Sequence, residues 1–398
     1  MIDYRSDKAI LTFIQDHIQD DPDKLVLQRD KYPDIPIAYV ATQISARQKS
    51  RIKLPFIAQH PSFQFPSKLS YEQCSSELTA RYKSSFYKGS SFLDLTGGLG
   101  IDSYHIAKQF SKGVYIEQEA SIAEFATHNF NTLGAKNINI VHSTAEAFLK
   151  SNTQTFDLIY LDPARRDEAD NRVFKIEDCT PNVLSIINDL LNKADYVLWK
   201  TAPLLDIKMV LKQLKTVFRV DVVAVENEVK EVLYHLKSNP TEDPEVHTIN
   251  LPSEEAFSFK YSEESSVESI FSEPEGYLYE PNSAILKAGG FKSIGQRYDL
   301  KKLHPNTHLY TGNQLIHNFP GRKFRILQRL SPNKKSLLPH IPEMKANISS
   351  RNYPLTVEQL RKKTGLADGG SHYIFATQDI RQRKLLLLTE KLNSKTVM

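Results

Sequence analysis

The chain has little cysteine and little tryptophan, two of the first and one of the second in 398 residues. Cys74 and Cys179 are too few for a disulfide framework or a cysteine-built metal site, so two reduced thiols are expected. No apolar run approaches the roughly 18 residues that span a bilayer. The opening MIDYRSDKAILTFIQDH has no basic start, apolar core or cleavage site of the signal-peptide kind. A cytoplasmic protein with no membrane contact is the expectation. The twelve histidines include no HExxH motif, so no metal is assigned. There is no G-x-S-x-G elbow, and Cys179 in EDCTP has no recognisable partner, which leaves no Ser or Cys nucleophile. Disorder as the main state is excluded by 40% hydrophobic and 10% aromatic residues. At roughly 100–200 residues per domain, the length predicts two or three domains.

A strong net charge is also missing, since 51 basic and 47 acidic side chains leave +4. That small figure conceals a partition. Residues 1–237 carry 29 basic and 30 acidic groups, residues 238–275 one and 10, and residues 276–398 carry 21 and 7. An acidic connector thus precedes a final third with a net charge of +14. Clustered Lys and Arg gain affinity for polyanions by releasing phosphate counterions, so that third is either a nucleic-acid surface or a merely solvated basic one.

Residues 1–88 read as helical. Ile10, Leu11, Ile14 and Ile18 recur at helical spacing, and Ser70-Tyr-Glu-Gln73 has the form of a capping box opening a helix through Tyr82. From Ser91, short apolar runs alternate with amphipathic helices: SFLDL and IDSYHIAKQF, GVYIE and ASIAEFATHNF, INIV and AEAFLKSN, DLIYLD and PNVLSIINDLLNKA, YVLWK and DIKMVLKQL. Five such repeats predict a parallel α/β sheet with right-handed crossovers. FRVDVVAV and EVLYHLK follow with too little between them for a crossover helix, which predicts an antiparallel hairpin at the sheet edge. Residues 238–275 read as a connector of limited structure with two short strands, VHTINL and FSFKY. YLYEPNSAILKAGGF, a basic stretch to Leu303, RKFRIL, the helix-like TVEQLRKKTG, HYIFAT and KLLLLT then predict a second, α+β domain.

Three segments carry chemistry. In FLDLTGGLGID, residues 92–102, a strand ending at Asp94 runs through Thr96-Gly97-Gly98-Leu99-Gly100 into a helix, so backbone can approach a ligand closely. Such a turn serves NAD, FAD, phosphates or S-adenosylmethionine, but its GGxG spacing speaks against a pyrophosphate cradle. Glu117 ends the next strand, where a carboxylate either accepts from both hydroxyls of a ribose or is simply solvated. Strand four ends in Asp162-Pro163, followed by Ala164, Arg165 and Arg166. A carboxylate and the carbonyl of a rigid Pro163 turn at the carboxyl edge can accept N–H bonds and aim a nitrogen lone pair at an electrophilic methyl. Arg165 and Arg166 could clamp phosphate or carboxylate, or be exposed arginines after a turn. Lys200 ends strand five, where it either meets substrate phosphate or snorkels to solvent.

In this order, and with the terminal hairpin, residues 70–237 resemble the class I S-adenosylmethionine-dependent methyltransferases. The implied fold is a seven-stranded Rossmann-like methyltransferase sheet with an antiparallel terminal hairpin, an N-terminal helical segment and a C-terminal α+β domain. EQCSSELTARYK, DLTGGLGID, LDPARR, WKTAPLLDI, YLYEPNSAILKAG, FPGRKF and NISSRNYPLT resemble the bacterial subfamily with ferredoxin-like and THUMP-like C-terminal domains. The expected divisions are an N-terminal helical domain at 1–88, a methyltransferase domain at 89–237 and the acidic connector at 238–275. A ferredoxin-like region at 276–320 and a THUMP-like basic domain at 321–398 complete the chain. The resemblance implies that Asp94, Thr96, Gly97, Gly98 and Gly100 surround the methionine part of S-adenosyl-L-methionine and that Glu117 holds its ribose. Thr144 stands where the superfamily often has an acid for the adenine amine, with Glu146 two residues on. Gln73 to Ser76 either close over the cofactor or pack the core. Ala164 replaces the Pro-(Tyr/Phe) continuation whose ring stacks on a flipped base, which leaves Trp199 or Phe174 for that role. Catalysis is assigned to Asp162 and Pro163, and substrate binding to Arg165, Arg166 and Lys200. The expected partner is structured RNA, transfer RNA favoured, held by the basic C-terminal domain. The competing readings are a protein or small-molecule acceptor, a noncatalytic RNA-binding protein on the same scaffold, and a nicotinamide oxidoreductase.

Overall fold

A computed structural model describes residues 4–165 and 176–392. They form two compact units, residues 1–218 with 233–241, and residues 219–232 with 242–398.

Short polar caps set the helix starts of the opening segment. Asp7 accepts from Ala9 N and Ile10 N and opens α1 (Lys8–Asp16), while Asp21 opens α2 (Pro22–Leu27). Ile10, Ile14 and Leu25 pack on Ile37, Val40 and Ile44 of α3 (Ile37–Lys53), the amphipathic solution expected of this spacing. The single helix expected from Ser70 to Tyr82 is instead two. Ser67 caps α4 (Lys68–Gln73) and Ser76 caps α5 (Glu77–Ser84), with Cys74 in extended backbone between them. The two serine hydroxyls satisfy amide donors that a continuous helix would have used internally, and the break turns α5 toward the sheet strands that follow.

The strands of the first sheet are β1 (Gly89–Asp94), β2 (Phe110–Glu117), β3 (Ile138–His142) and β4 (Phe156–Leu161). After a two-stranded ribbon of β5 (Ala164–Arg165) and β6 (Cys179–Thr180) come β7 (Ala194–Thr201), β8 (Val217–Val225), β9 (Glu228–Leu236), β10 (Glu245–Leu251) and β11 (Glu255–Lys260). The order is β11-β10-β8-β9-β7-β4-β1-β2-β3, with β3-β2-β1-β4-β7 parallel. Helices α6 (Ile101–Ala107), α7 (Ala120–Thr132), α8 (Ala145–Ser151), α9 (Val183–Lys193) and α10 (Ile207–Gln213) alternate with these strands as the repeats predicted. The hairpin β8–β9 turns at Glu226-Asn227, both at positive φ (51° and 63°), the two-residue geometry that matches strand twist.

The connector is more structured than its composition suggested. VHTINL and FSFKY form β10 and β11 and extend the sheet to nine strands, because Val246, Thr248, Phe257 and Phe259 alternate inward. Its acids act as partners: Glu264 accepts from Lys292 N and Ser293 N at 2.8 Å each, Glu275 pairs with Lys301, and Glu273 with Arg329 and Arg383.

The second unit is built on a seven-stranded sheet. Its strands are β12 (Tyr277–Pro281), β13 (Lys301–His304), β14 (Thr307–Gly312), β15 (Gly321–Leu330), β16 (Asn347–Ser350), β17 (His372–Gln378) and β18 (Lys384–Leu392). Their order is β13-β14-β12-β15-β18-β17-β16. Thr356 and Gln359 form a capping box at the start of the helix Val357–Thr364, and Gly365 ends it in the left-handed conformation. Among the described residues no helix is long and apolar enough to cross a membrane, and no group of three or more His, Cys, Asp or Glu could hold a metal ion. Cys74 and Cys179 form no disulfide.

Candidate active site

Three strand ends converge at the carboxyl edge of the parallel sheet. After β1, Thr96 to Gly100 form the glycine turn, and Gly100 is the left-handed cap of α6. Two glycines have separate physical reasons. A Cβ on Gly97 would lie 2.1 Å from the Tyr115 ring, so the backbone passes where no side chain fits. Gly98 sits at φ +59°, and a Cβ there would meet nothing nearer than Thr96 O at 4.0 Å, so the space over the loop is open.

Glu117, at the end of β2, is buried. Its Oε2 accepts from Gly98 N and its Oε1 from Glu119 N, both at 2.8 Å. Each oxygen has a second lone pair to offer, which suits a vicinal diol above the open face of Gly98. These acceptors therefore fit the hydroxyls of the ribose of a nucleoside cofactor.

Asp94 lies beneath the loop, 1% exposed, with Oδ1 accepting from Thr96 N at 2.9 Å and Oδ2 from the Ser103 hydroxyl. Burial pushes its carboxyl up to about 7 against the opposing effect of those bonds. Its side chain braces the turn from below. Thr144 caps α8, its hydroxyl accepting from Ala147 N at 3.2 Å.

Asp162 follows β4, beside the end of β7. Its backbone N donates to Thr96 Oγ1 at 2.6 Å, which ties the Asp-Pro turn to the glycine turn. Lys200 Nζ pairs with Asp162 Oδ2. The lysine read as either a phosphate contact or a snorkelling side chain thus reaches the carboxylate next to it, because the β4–β7 register sets Leu161 opposite Trp199. Pro163 is half-buried, and Arg165 takes part in the β5–β6 ribbon opposite Cys179. Arg166 and Phe174 lie outside the described residues. Trp199 is fully buried with its ring 5.1 Å from that of Tyr234, so it cannot stack on a base. A parallel strand covered on both faces hides its large apolar side chains whichever way they point.

The sequence reading missed a buried polar cluster beside this edge. Asp102, in the first turn of α6, accepts at Oδ2 from Ser75 Oγ and Tyr160 OH, both at 2.7 Å. Its Oδ1 lies 3.2 Å from Lys83 Nζ, as an ion pair rather than an aligned hydrogen bond. Lys83 also donates to Ser75 Oγ at 3.1 Å. Burial works to raise the Asp102 carboxyl, but Lys83, Lys200 and the two hydroxyls together hold it below the usual range. The cluster joins α5 and the α4–α5 break to the head of α6. Its signal was a lysine on the inward face of α5, in line with buried Thr79 and Ala80.

A parallel sheet in this order, with β9 inserted between β7 and β8, a glycine turn after β1, an acid closing β2 and Asp-Pro after β4, defines the class I methyltransferase architecture. A crystal structure of a candidate methyltransferase from Porphyromonas gingivalis W83 matches with a TM-score of 0.89 at 36% identity, covering 99% of this chain and 100% of that one. Residues 78–184 match the family described as conserved hypothetical protein 95, residues 277–320 a ferredoxin-like domain and residues 321–391 a THUMP-like domain. An uncharacterized RNA methyltransferase of Mycoplasma mobile is 35% identical over 74 residues, 19% of this chain and 20% of that protein. The chain thus spans about a fifth of the length of that curated relative. The chain belongs to the bacterial class I methyltransferase family that carries ferredoxin-like and THUMP-like C-terminal domains.

Proposed function

We propose that the chain is an S-adenosyl-L-methionine-dependent methyltransferase acting on an amine or ring nitrogen of a nucleotide in structured RNA, with transfer RNA favoured. The observation that carries this reading is the bond from Asp162 N to Thr96 Oγ1, which fixes an N–H acceptor against the open glycine turn. Glu117 would hold the ribose, the backbone of Thr96 to Gly98 would lie along the methionine chain, and α8 at Thr144 would border the adenine. When bound, the cofactor supplies an electrophilic methyl on a sulfonium. Asp162 Oδ1 and the Pro163 carbonyl accept N–H bonds from the incoming nitrogen and orient its lone pair, so alignment is the main contribution. No strong base is needed, since a neutral amine can attack and lose its proton afterwards. Lys200 positions the Asp162 carboxylate, and Arg165 and Arg166 are candidate contacts to substrate phosphate. The RNA reading is supported by the 21 basic and 7 acidic residues of 276–398, the THUMP-like match and the name of the Mycoplasma relative.

The test combines calorimetry and methyl transfer. The wild-type protein should bind S-adenosylmethionine and transfer labelled methyl to RNA from cells lacking the gene. Asp162→Ala should lose turnover and keep cofactor affinity within about threefold. An unchanged rate removes Asp162 from the chemistry, and label appearing in protein or small molecules replaces the RNA reading.

A further inference from the structure

Three stretches singled out in the sequence, YLYEPNSAILKAG, FPGRKF and NISSRNYPLT, have no part in the methyltransferase site, yet they meet at one carboxylate. Glu280, near the end of β12, is 4% exposed. Arg322 stands directly opposite it on β15 and donates from Nε to Glu280 Oε2 at 2.7 Å, with Nη2 on the same oxygen. Arg351, just past β16, donates from Nε to Oε1 at 2.9 Å. The other oxygen is thus taken by a second guanidinium.

Both arginines are held by more than this pair. The Arg322 guanidinium lies 5.6 Å from the Phe324 ring centre and 5.9 Å from that of Phe375. Arg351 N donates to Ala376 O at 2.9 Å, and its Nη1 to Ser350 O at 3.1 Å. One buried carboxylate therefore fixes two cations and neutralises only one. The side chains of Arg322 and Arg351 remain 33% and 46% exposed. Nη1 of Arg322 and Nη2 of Arg351 have no hydrogen bond among the described residues. A staple of β12 to its neighbour β15 is complete with Arg322 alone, and Arg351 adds the reach to the end of β16 together with a second positive charge. Two oriented guanidiniums with unused donors and an uncompensated positive charge suit the two non-bridging oxygens of a phosphodiester, and little side-chain entropy remains to be lost on binding.

We propose that Arg322 and Arg351, oriented by Glu280, form a phosphodiester-binding site for RNA in the C-terminal unit. The inference rests on the RNA reading above and gives that reading a location. The test uses the full chain and an unfractionated transfer-RNA pool, with affinity measured by anisotropy across a potassium chloride series. Arg351→Ala and Arg322→Ala should each weaken binding about fivefold to tenfold at low salt and reduce the salt slope by about one ion. Arg351→Gln keeps a donor for Glu280 while removing the charge, so it should fold where Ala does not and still lose the slope. Arg381→Ala, 69% exposed on another part of the unit, should leave affinity within about twofold. Wild-type slope and affinity in both Arg351→Gln and Arg322→Ala would overturn the site and leave the RNA reading standing. A wild-type protein that binds no RNA would overturn both.

Discussion

Replacing Lys83 by Met tests the cluster that joins the N-terminal helices to the sheet. Met has nearly the length of Lys, so packing on α5 is kept and the charge alone is removed. Asp102 would retain the Ser75 and Tyr160 hydroxyls at 2.7 Å each but would be a buried charge without its cation. Breaking a buried pair from one side costs about 3–5 kcal/mol, and two surviving donors place the expected loss near the lower end, ~3 kcal/mol at neutral pH. The pH dependence gives the mechanism away. In the wild type, Asp102 is held below its ordinary range, so its contribution is present above the unfolded value and lost as pH falls through the depressed one. In Lys83→Met, burial is no longer opposed by Lys83 and the carboxyl moves up from its depressed position, so the stability it contributes at neutral pH shrinks. The penalty should therefore be largest near neutral pH and shrink toward about pH 4. Urea unfolding can be followed by the single tryptophan, Trp199, which is buried in the first unit. The double variant Lys83→Met/Asp102→Asn should recover at least about half of the loss. A penalty below about 1 kcal/mol, or one equal at acid and neutral pH, would refute the argument.

Two further substitutions probe the glycine turn. Asp94, buried with its carboxyl at about 7 against an ordinary 3.8, binds a proton in the native state that the unfolded chain has released, so its contribution lowers stability by up to ~1.4 kcal/mol per unit as pH rises across that window. Asp94→Asn should remove that fall while leaving the acceptor for Thr96 N, and a native-to-variant difference constant from about pH 4 to 7 would contradict it. Gly97→Ala puts a methyl 2.1 Å from the Tyr115 ring and should cost about 1–3 kcal/mol by thermal or urea unfolding, with Tyr115→Leu restoring part of it; no rescue would mean that the ring is not the obstacle.

How much of this was legible in the sequence depends on what each residue needed to know. The five strand–helix repeats could be read because a parallel strand covered on both faces is a short apolar run and its helix keeps a 3.6-residue stripe. The hairpin β8–β9 was equally readable from the shortness of its link, but its expected place at the sheet edge was not correct, because β10 pairs with β8 and puts the hairpin inside the sheet. β10 and β11 were visible as strands but not as sheet members, since their alternation of Val246, Thr248, Phe257 and Phe259 lies among acids that suggested a loose linker. β16, Asn-Ile-Ser-Ser, is an edge strand with no apolar alternation to find. Of the site, Asp94, Gly97, Gly98, Glu117 and Asp162 could be located from strand ends alone. The partner of Lys200 could not, because it depends on which strand lies alongside β7 and in what register. Lys83 and Asp102 are 19 residues apart on different helices, and nothing local to either announces the other.

The bonds that run from Glu117 to Gly98 and from Thr96 to Asp162 form a gauge. One end is set where a ribose would rest and the other where an acceptor nitrogen would stop, and the span between them is backbone closed by short hydrogen bonds. A gauge of this kind measures the group being moved. On the proposed chemistry, the Asp162 backbone could not retreat from a larger transferred group without giving up its bond to Thr96, so ethyl or allyl in place of methyl should be transferred more slowly.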